Sequence, residues 1–256
     1  MTSFFAFLKK EWMQQVRSGR LVLLGLLFLA FGIMNPAMAK LTPWLMDILS
    51  ESLESSGITV TPVPITAMDS WVQFYKNLPL CLIFFILAES SIFTKEYQTG
   101  TLVLSLTRGL SRHQIVTAKT SVLVVLWTVG YWLCFAVTYG YNAYFWDNSI
   151  AAHLLFAAGC WWLFGLWIVL MVVFFSVWAQ DNTIVLAGTG SIVLAVWLLG
   201  FLPRLSKLVP THLTDGMALL LQQAEPKEYL SALLITVVLS VLCFVIAFPL
   251  FAKKDI

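Results

Sequence analysis

Charged residues are scarce in this sequence: they make up 11% of its 256 residues, whereas a soluble domain carries about 25%. Hydrophobic residues reach 60%, which is more apolar surface than one soluble core can bury. The 15 basic and 13 acidic side chains nearly balance, so the clustered basic excess of a nucleic-acid-binding domain is missing too. These proportions exclude a soluble enzyme and a disordered chain, and they predict a single polytopic membrane domain over residues 1–256.

Sequence motifs that mark catalysis are also missing. We find no phosphate-binding G-x-x-x-x-G-K-[ST], no zinc-binding H-E-x-x-H and no G-x-S-x-G nucleophile turn. The three histidines are far apart in the sequence, and the four cysteines lie inside apolar runs without C-x-x-C spacing. We interpret these cysteines as small buried hydrophobic residues rather than disulfide or zinc partners. We therefore expect no catalytic residue and no metal or cofactor bound by this chain.

Long apolar runs are what the sequence has instead. About 20 apolar residues cross a bilayer as a helix, and six segments are long enough. They cover residues 21–39, 78–93 (with a start nearer Trp71 as an alternative), 121–146, 151–178, 184–202 and 230–252. None shows the alternation of a membrane β-strand. The sequence therefore predicts an all-α integral membrane protein with six transmembrane helices.

Lysine and arginine in the connecting segments predict the orientation of these spans. With the N-terminus inside, ten cations are cytoplasmic: Lys9, Lys10, Arg17, Arg20, Lys95, Arg108, Arg112, Lys119, Lys253 and Lys254. The outer set has only five: Lys40, Lys76, Arg204, Lys207 and Lys227. Because cytoplasmic loops carry the excess of Lys and Arg, we expect both termini in the cytoplasm. Residues 1–39 also have features of a signal peptide, but the long polar lead-in with Glu11 favours a retained first span.

Three segments outside the spans have distinct characters. In residues 1–20, Phe4, Phe5, Leu8 and Trp12 recur at helical spacing among basic residues, which predicts an amphipathic helix on the cytoplasmic leaflet, or a simple basic anchor. Residues 41–77 form a predicted long outer loop. Residues 201–229 alternate leucines with Pro203, Pro210 and Gly216, which predicts one or two short helices at the outer surface.

The segment 95–115 is the one sizeable cytoplasmic loop. Gly100 permits a sharp chain reversal, and residues 101–107 form a short apolar helix with Leu102, Val103 and Leu106 on one face. Ser111 with Gln114 predicts a capping box that begins the next helix. A short apolar helix held between two turns needs a partner for its exposed face, or else it lies on lipid.

The order of residues in this loop resembles the first cytosolic loop of the permease subunits of type-2 ABC exporters. The matching run is Glu96-x-x-x-Gly100-Thr101-Leu102, followed by leucines, Arg108-x-x-Ser111-Arg112 and Lys119, with Arg108-Gly109 where the family often has proline. The opening Lys10-Glu11 resembles that family's connecting helix.

The resemblance implies a permease without its own ATPase, paired with a second, identical or homologous permease. ABC ATPase subunits would bind ATP and magnesium, and the bilayer would be a further partner. The residues implied at the ATPase-coupling interface are Lys10, Glu11, Glu96, Gly100, Thr101, Leu102, Leu106, Arg108, Arg112, Gln180, Asp181 and Asn182.

A path for the transported molecule is less defined. Glu89 is a carboxylate within a span, with Phe85 on the same helix face, so it is either a gate or a partner for Lys95 or Arg112. Trp197 faces either the path or lipid. In the same span the small residues Ala187, Ser191 and Ala195 predict close helix packing, within the subunit or across a dimer.

We expect an amphiphilic substrate, namely a peptide such as an antimicrobial peptide, a lipid-like molecule or a drug. The alternatives are an ATPase-coupled membrane scaffold and a stand-alone secondary transporter. The second alternative is disfavoured because the spans carry few polar residues and few breaks.

Overall fold

The computed structural model describes residues 2–54, 64–107 and 109–253, and every regular element in these ranges is helical. The α-helices are α1 (Thr2–Arg17), α2 (Arg20–Glu54), α3 (Ala67–Glu89), α4 (Thr94–Gln98), α5 (Thr101–Thr107), α6 (Arg112–Phe145), α7 (Leu154–Trp178), α8 (Asn182–Leu199), α9 (Gly216–Leu220) and α10 (Leu230–Lys253). Short 3₁₀ turns cover Ser90–Ile92, Asn148–Ile150, Pro210–Thr214 and Pro226–Tyr229.

Six helices are long and apolar enough to cross a membrane, as the sequence predicted. They are α2, α3, α6, α7, α8 and α10. We call the end of the bundle that carries α1, α4 and α5 the α5 end, and the opposite end the α9 end. The connection between α8 and α10 holds three short helical turns, which agrees with the helical segment expected at 201–229.

The predicted loop at 41–77 is wrong over much of its length. Helix α2 continues through Pro36 and Pro43 to Glu54. Helix α3 begins at Ala67, nearer to the alternative start at Trp71 than to residue 78. The expectation failed because it ended a helix where the apolar run ends. The thickness of the bilayer sets the length of the apolar part of a helix, but the helix can continue beyond it with polar residues. Prolines are also tolerated in such helices. Pro62, in the predicted turn, lies outside the described residues.

The centre of the bundle is aromatic. Trp127 on α6 contacts Phe28 on α2 and Phe85 on α3, with ring centroids 6.0 and 5.5 Å apart. The indole nitrogen of Trp127 donates to the carbonyl oxygen of Trp162 on α7 at 3.1 Å. Gly165 makes this packing possible, since a Cβ there would lie 2.0 Å from the Trp127 ring. Dense packing and side-chain-to-backbone bonds therefore join α2, α3, α6 and α7 into one core.

Helix α8 is the least embedded span. Within it only Val185 and Thr189 are buried. Its predicted small-residue stripe of Ala187, Ser191 and Ala195 is exposed. Packing within the subunit, one of the two interpretations of this stripe, is therefore not what the structure shows.

Candidate functional site: the α5 end and a cleft beside α8

The turn between α4 and α5 forms as the sequence predicted. Gly100 has φ +66°, a left-handed conformation that other residues rarely adopt, and it joins two helices that end and begin at Gln98 and Thr101. The predicted capping box is confirmed: the Ser111 hydroxyl accepts from the Gln114 amide at 3.3 Å, and Gln114 Oε1 accepts from the Ser111 amide at 3.1 Å. Local chemistry thus sets where α5 begins, at the Gly100 turn, and where α6 begins, at the Ser111 cap.

The apolar face of α5 is turned inward. Leu102 is fully buried and Leu106 is half-buried against the core, whereas Val103 is 42% exposed. Neighbouring residues on a helix point about 100° apart, so the three do not share one face as predicted. The surface available to a partner is formed by Gly100, Thr101 and Val103. Arg108 lies outside the described residues.

A buried ion cluster lies directly behind this turn. Lys119 of α6 is fully buried, and its Nζ donates to Glu11 Oε2 of α1 at 2.8 Å and lies 3.2 Å from Glu96 Oε2 of α4. Lys10 Nζ bridges the same two carboxylates at 2.9 and 2.8 Å. Two cations and two carboxylates thus hold three helices together. Glu11 and Glu96, predicted as interface residues, are buried partners of this cluster, and Lys10 is the more accessible member.

Glu89 belongs to a second polar contact nearby. Its Oε2 accepts from Gln15 Nε2 of α1 at 2.7 Å, and Arg20 lies 3.8 Å away and donates to Ser91 Oγ at 3.0 Å. The sequence predicts Lys95 or Arg112 as a partner of Glu89, whereas the contacts seen in the structure come from Gln15 and Arg20. Lys95 is exposed.

Arg112 instead ties the start of α6 to the end of α10. Its guanidinium donates to the carbonyl oxygens of Phe251 and Ala252 at 2.6 and 3.1 Å. A cation at the C-terminal end of a helix satisfies carbonyls that have no partner within that helix. Arg112 therefore has a contact inside the chain in addition to any role at the predicted interface.

The second predicted interface segment, Gln180, Asp181 and Asn182, lies beside the first. The Tyr97 hydroxyl donates to the carbonyl of Val177 at 3.1 Å, and Gln98 Nε2 lies 3.5 Å from Asp181 Oδ1. Gln180 and Asp181 are exposed. Two segments that are about 80 residues apart in sequence therefore share one surface at the α5 end.

Trp197 is separated from the other two predicted path residues. It lines a cleft of about 690 Å³ between α3, α7 and α8. Phe85 is 1% exposed in the aromatic core, and Glu89 is held at the α5 end by Gln15. The three residues do not form one site.

Sequence reasoning missed the residues that organise these contacts. Lys119 entered the sequence analysis only as a cytoplasmic cation and as the last residue of the loop pattern, although a lysine inside a long apolar helix is itself a signal for a buried partner. Gln15, Tyr75 and Thr189 gave no signal in the sequence, and Arg20 indicated only the orientation, because their contacts depend on helices that meet only in the fold.

Comparison with known proteins identifies the family. A family model described as ABC-2 family transporter protein matches residues 5–228, which is most of the chain. No curated protein sequence matched. The family supplies a transmembrane permease component rather than an ATPase, and it implies association with ABC ATPase subunits. With six candidate spans, the chain is a multi-pass membrane permease and belongs to the ABC-2 transporter family.

Proposed function

We propose that this chain is the permease subunit of an ABC exporter and moves an amphiphilic substrate with energy from ATP hydrolysis on separate subunits. The observation that carries this proposal is the shared surface at the α5 end. There the exposed Gly100–Thr101 turn and Val103 follow Gln98, whose side-chain amide donates to the exposed Asp181. A short helix that is anchored by buried Leu102 and exposes Val103 on its other side is suited to docking into a partner subunit.

In this proposal the α5 end faces the cytoplasm, in agreement with the excess of basic residues there. Helix α1 lies along the membrane surface. It packs against α6 through buried Phe7 and Glu11 and bonds to Glu89 of α3 through Gln15, while Phe5 and Val16 are 62% and 51% exposed. Such an exposed apolar stripe beside lysines suits the boundary between headgroups and acyl chains.

The contacts offer a route from the ATPase to the membrane. Movement of α5 would be passed to α4 through Gly100, and to α1 and α6 through Glu96 and Lys119. Helix α4 continues into α3 through the Ser90–Ile92 turn, and α3 forms one wall of the cleft. ATP-driven closure of the ATPase pair moves these helices only if the ATP-bound ATPase binds one permease conformation more tightly than another.

Replacing Val103 with aspartate tests the docking surface. We expect the V103D protein to fold and to lose ATPase subunits on purification from native membranes in mild detergent, because the charge falls on the exposed side of α5. The measurement is co-purified ATPase protein and ATP turnover.

The matched control is Ile150→Asp at the α9 end, since Ile150 is 44% exposed and Val103 42%. I150D should keep its ATPase. Loss of the ATPase in both variants, or in neither, contradicts docking at α5.

A further inference from the structure

Helix α1 leaves one apolar side exposed, which we call the apolar stripe. Its members are the accessible large hydrophobic side chains of this helix, namely Phe5, Trp12, Met13 and Val16. Since neighbouring residues on a helix point about 100° apart, these four lie within about 100° of one another around α1. The buried residues Phe7, Glu11 and Gln15 lie on the other side and contact α6 and α3. The stripe therefore marks a surface for contact with something outside the chain.

The first turns of α2 are exposed in the same way. After the turn at Gly19, Val22, Leu23 and Leu26 are each more than half exposed. Exposed apolar side chains on a spanning helix face the acyl chains of the bilayer. A helix that ends where α2 enters the bilayer, and that has an apolar stripe of its own, is suited to the boundary between headgroups and acyl chains.

The accessible charge of α1 is entirely positive. Glu11 is the sole acid of this helix, and it is buried in the ion cluster with Lys10 and Lys119. Lys9 and Arg17 are exposed, and neither forms an ion pair with a described residue. The outer surface of α1 therefore combines apolar side chains with cations that lack a counter-charge in the described chain.

Both cations border the apolar stripe. Lys9 follows Phe5 by four residues, so the two side chains are neighbours on the helix surface. Arg17 follows Met13 by the same interval. Lysine and arginine lay their apolar stems along such a surface and hold the charged ends among polar groups. Lys95 of α4 adds a third exposed cation, in a crevice that it lines with residues at the C-terminal end of α1.

We propose that α1 binds anionic phospholipids, with its apolar stripe among the acyl chains and Lys9, Arg17 and Lys95 on the headgroup oxygens. Zwitterionic lipid would cover the stripe but leave the cations without counter-charges. An acidic protein surface would pair with the cations but leave Phe5 and Val16 in water. An anionic lipid surface satisfies both, because a cation near it is attracted to the phosphates. The proposal rests on the placement of α1 along the membrane and not on docking of an ATPase.

The probes are phosphatidylglycerol and phosphatidylcholine that carry the same photoreactive acyl chain. Each is added in trace amount to the full-length permease, without ATPase subunits, in phosphatidylcholine nanodiscs. Chymotryptic peptides of α1 are quantified after illumination, with peptides from the middle of α10, where Val238 and Val241 are exposed, as the internal reference.

We expect phosphatidylglycerol to label α1 about fivefold more than phosphatidylcholine does at low salt, the preference that one cation near an anionic surface provides. In about 1 M NaCl, where the Debye length is about 3 Å, this preference should disappear. Labelling of the α10 peptides should be the same for both probes.

Variants separate lipid binding from folding. Lys9→Gln combined with Arg17→Gln should abolish the preference at α1. The melting temperature of this double variant should equal that of the wild type, because neither side chain forms an ion pair with a described residue. Lys9→Arg combined with Arg17→Lys keeps both charges and should keep the preference. The matched control, Arg204→Gln with Lys227→Gln, removes two exposed cations at the α9 end and should leave labelling of α1 unchanged.

Three results overturn the inference: equal labelling of α1 by the two probes, a preference that survives in the K9Q/R17Q variant, or a preference that R204Q/K227Q removes as well. If K9Q/R17Q loses co-purifying ATPase subunits while wild-type α1 shows no lipid preference, the partner is an acidic protein surface and the inference is wrong. None of these results affects the V103D test. Its failure would reject ATPase docking at α5 and leave the lipid preference of α1 as measured.

Discussion

Lys119 is the residue on which the α5 end depends most. It is fully buried between two carboxylates that come from different helices. Removing one member of a buried ion pair costs about 3 to 5 kcal/mol, and in this cluster the partly exposed Lys10 alone would remain to balance two buried carboxylates. We expect Lys119→Met to lower the thermal unfolding temperature strongly and to release α1, measured by unfolding in detergent and by proteolysis within α1.

Two controls accompany this prediction. Lys207→Met breaks an exposed ion pair with Glu228 and should change stability little. Combining Lys119→Met with Glu11→Gln and Glu96→Gln removes the uncompensated charges and should restore much of the loss. Equal effects of K119M and K207M would show that the buried cluster does not hold the helices.

Gly165 sets how closely α6 and α7 approach. A Cβ at this position would meet the Trp127 ring, which its own hydrogen bond to Trp162 fixes in place. Gly165→Ala should therefore cost about 1 to 3 kcal/mol through overpacking. Gly159→Ala on the same helix meets no atom within 4 Å and should be neutral or stabilising. The comparison is made by thermal unfolding, and similar effects of both substitutions would contradict it.

At the residue scale, the sequence predicted where a turn and a helix cap form better than it predicted which side chains bind each other. The turn at Gly100 and the Ser111 capping box follow from chemistry within a few residues, and both were found where expected. The partners of Glu89 and Glu96 come from α1 and α6, more than twenty residues away in sequence. No spacing rule connects such residues.

Among the elements, the segment at the α9 end is sensitive to pH. The His212 ring stacks on Tyr229 at 4.4 Å, and burial holds the pKa of His212 below the ordinary histidine value of 6.5. Asp215 and Glu228 oppose this shift, and Lys207 adds to it. A histidine with a lowered pKa takes up its proton more readily when unfolded, so its packing is stable above pH 6.5 and weakens as the pH falls below it.

We therefore expect acidification from about pH 7.5 to about pH 5.5 to lower the melting temperature more in the wild type than in His212→Phe, which keeps an aromatic ring against Tyr229. His113→Phe, at the opposite end of the bundle, should retain the wild-type dependence. If the melting temperature of H212F falls with pH as much as that of the wild type, groups other than His212 cause the pH dependence.

The boundaries of the helices show which signals were informative. The predictions for α7 and α10 were right to within about three residues, because apolar runs and helices coincide there. Helix α2 was underestimated, since its last turns are helical but polar. The prediction that Val103 shares a face with Leu102 and Leu106 was wrong, because the hydrophobic pattern of seven residues is too short to show which side of α5 faces inward.

At the scale of the whole molecule, we propose that α8 supplies the contact with the second permease chain that the sequence predicts. Its stripe of Ala187, Ser191 and Ala195 is exposed, and small residues let helices approach closely in lipid. We expect Ser191→Cys to form an oxidative crosslink to a second permease chain in membranes, with mass spectrometry identifying that chain. Val245→Cys on α10, at a similar depth, should not crosslink. Crosslinking of both variants, or of neither, would contradict a dimer contact along α8.

The class of this protein could be predicted from the sequence. Its composition, six apolar runs and the order of residues around Gly100 predicted a multi-pass permease, since hydrophobicity and local turn chemistry depend on short stretches of chain. The structure was needed to show that Lys119 joins α1 to α4, that Phe85 lies in the core, and that Tyr75 and Thr189 line the same cleft. These facts depend on contacts between distant helices, whose rotation and depth are fixed by packing and by the pairing of buried polar groups.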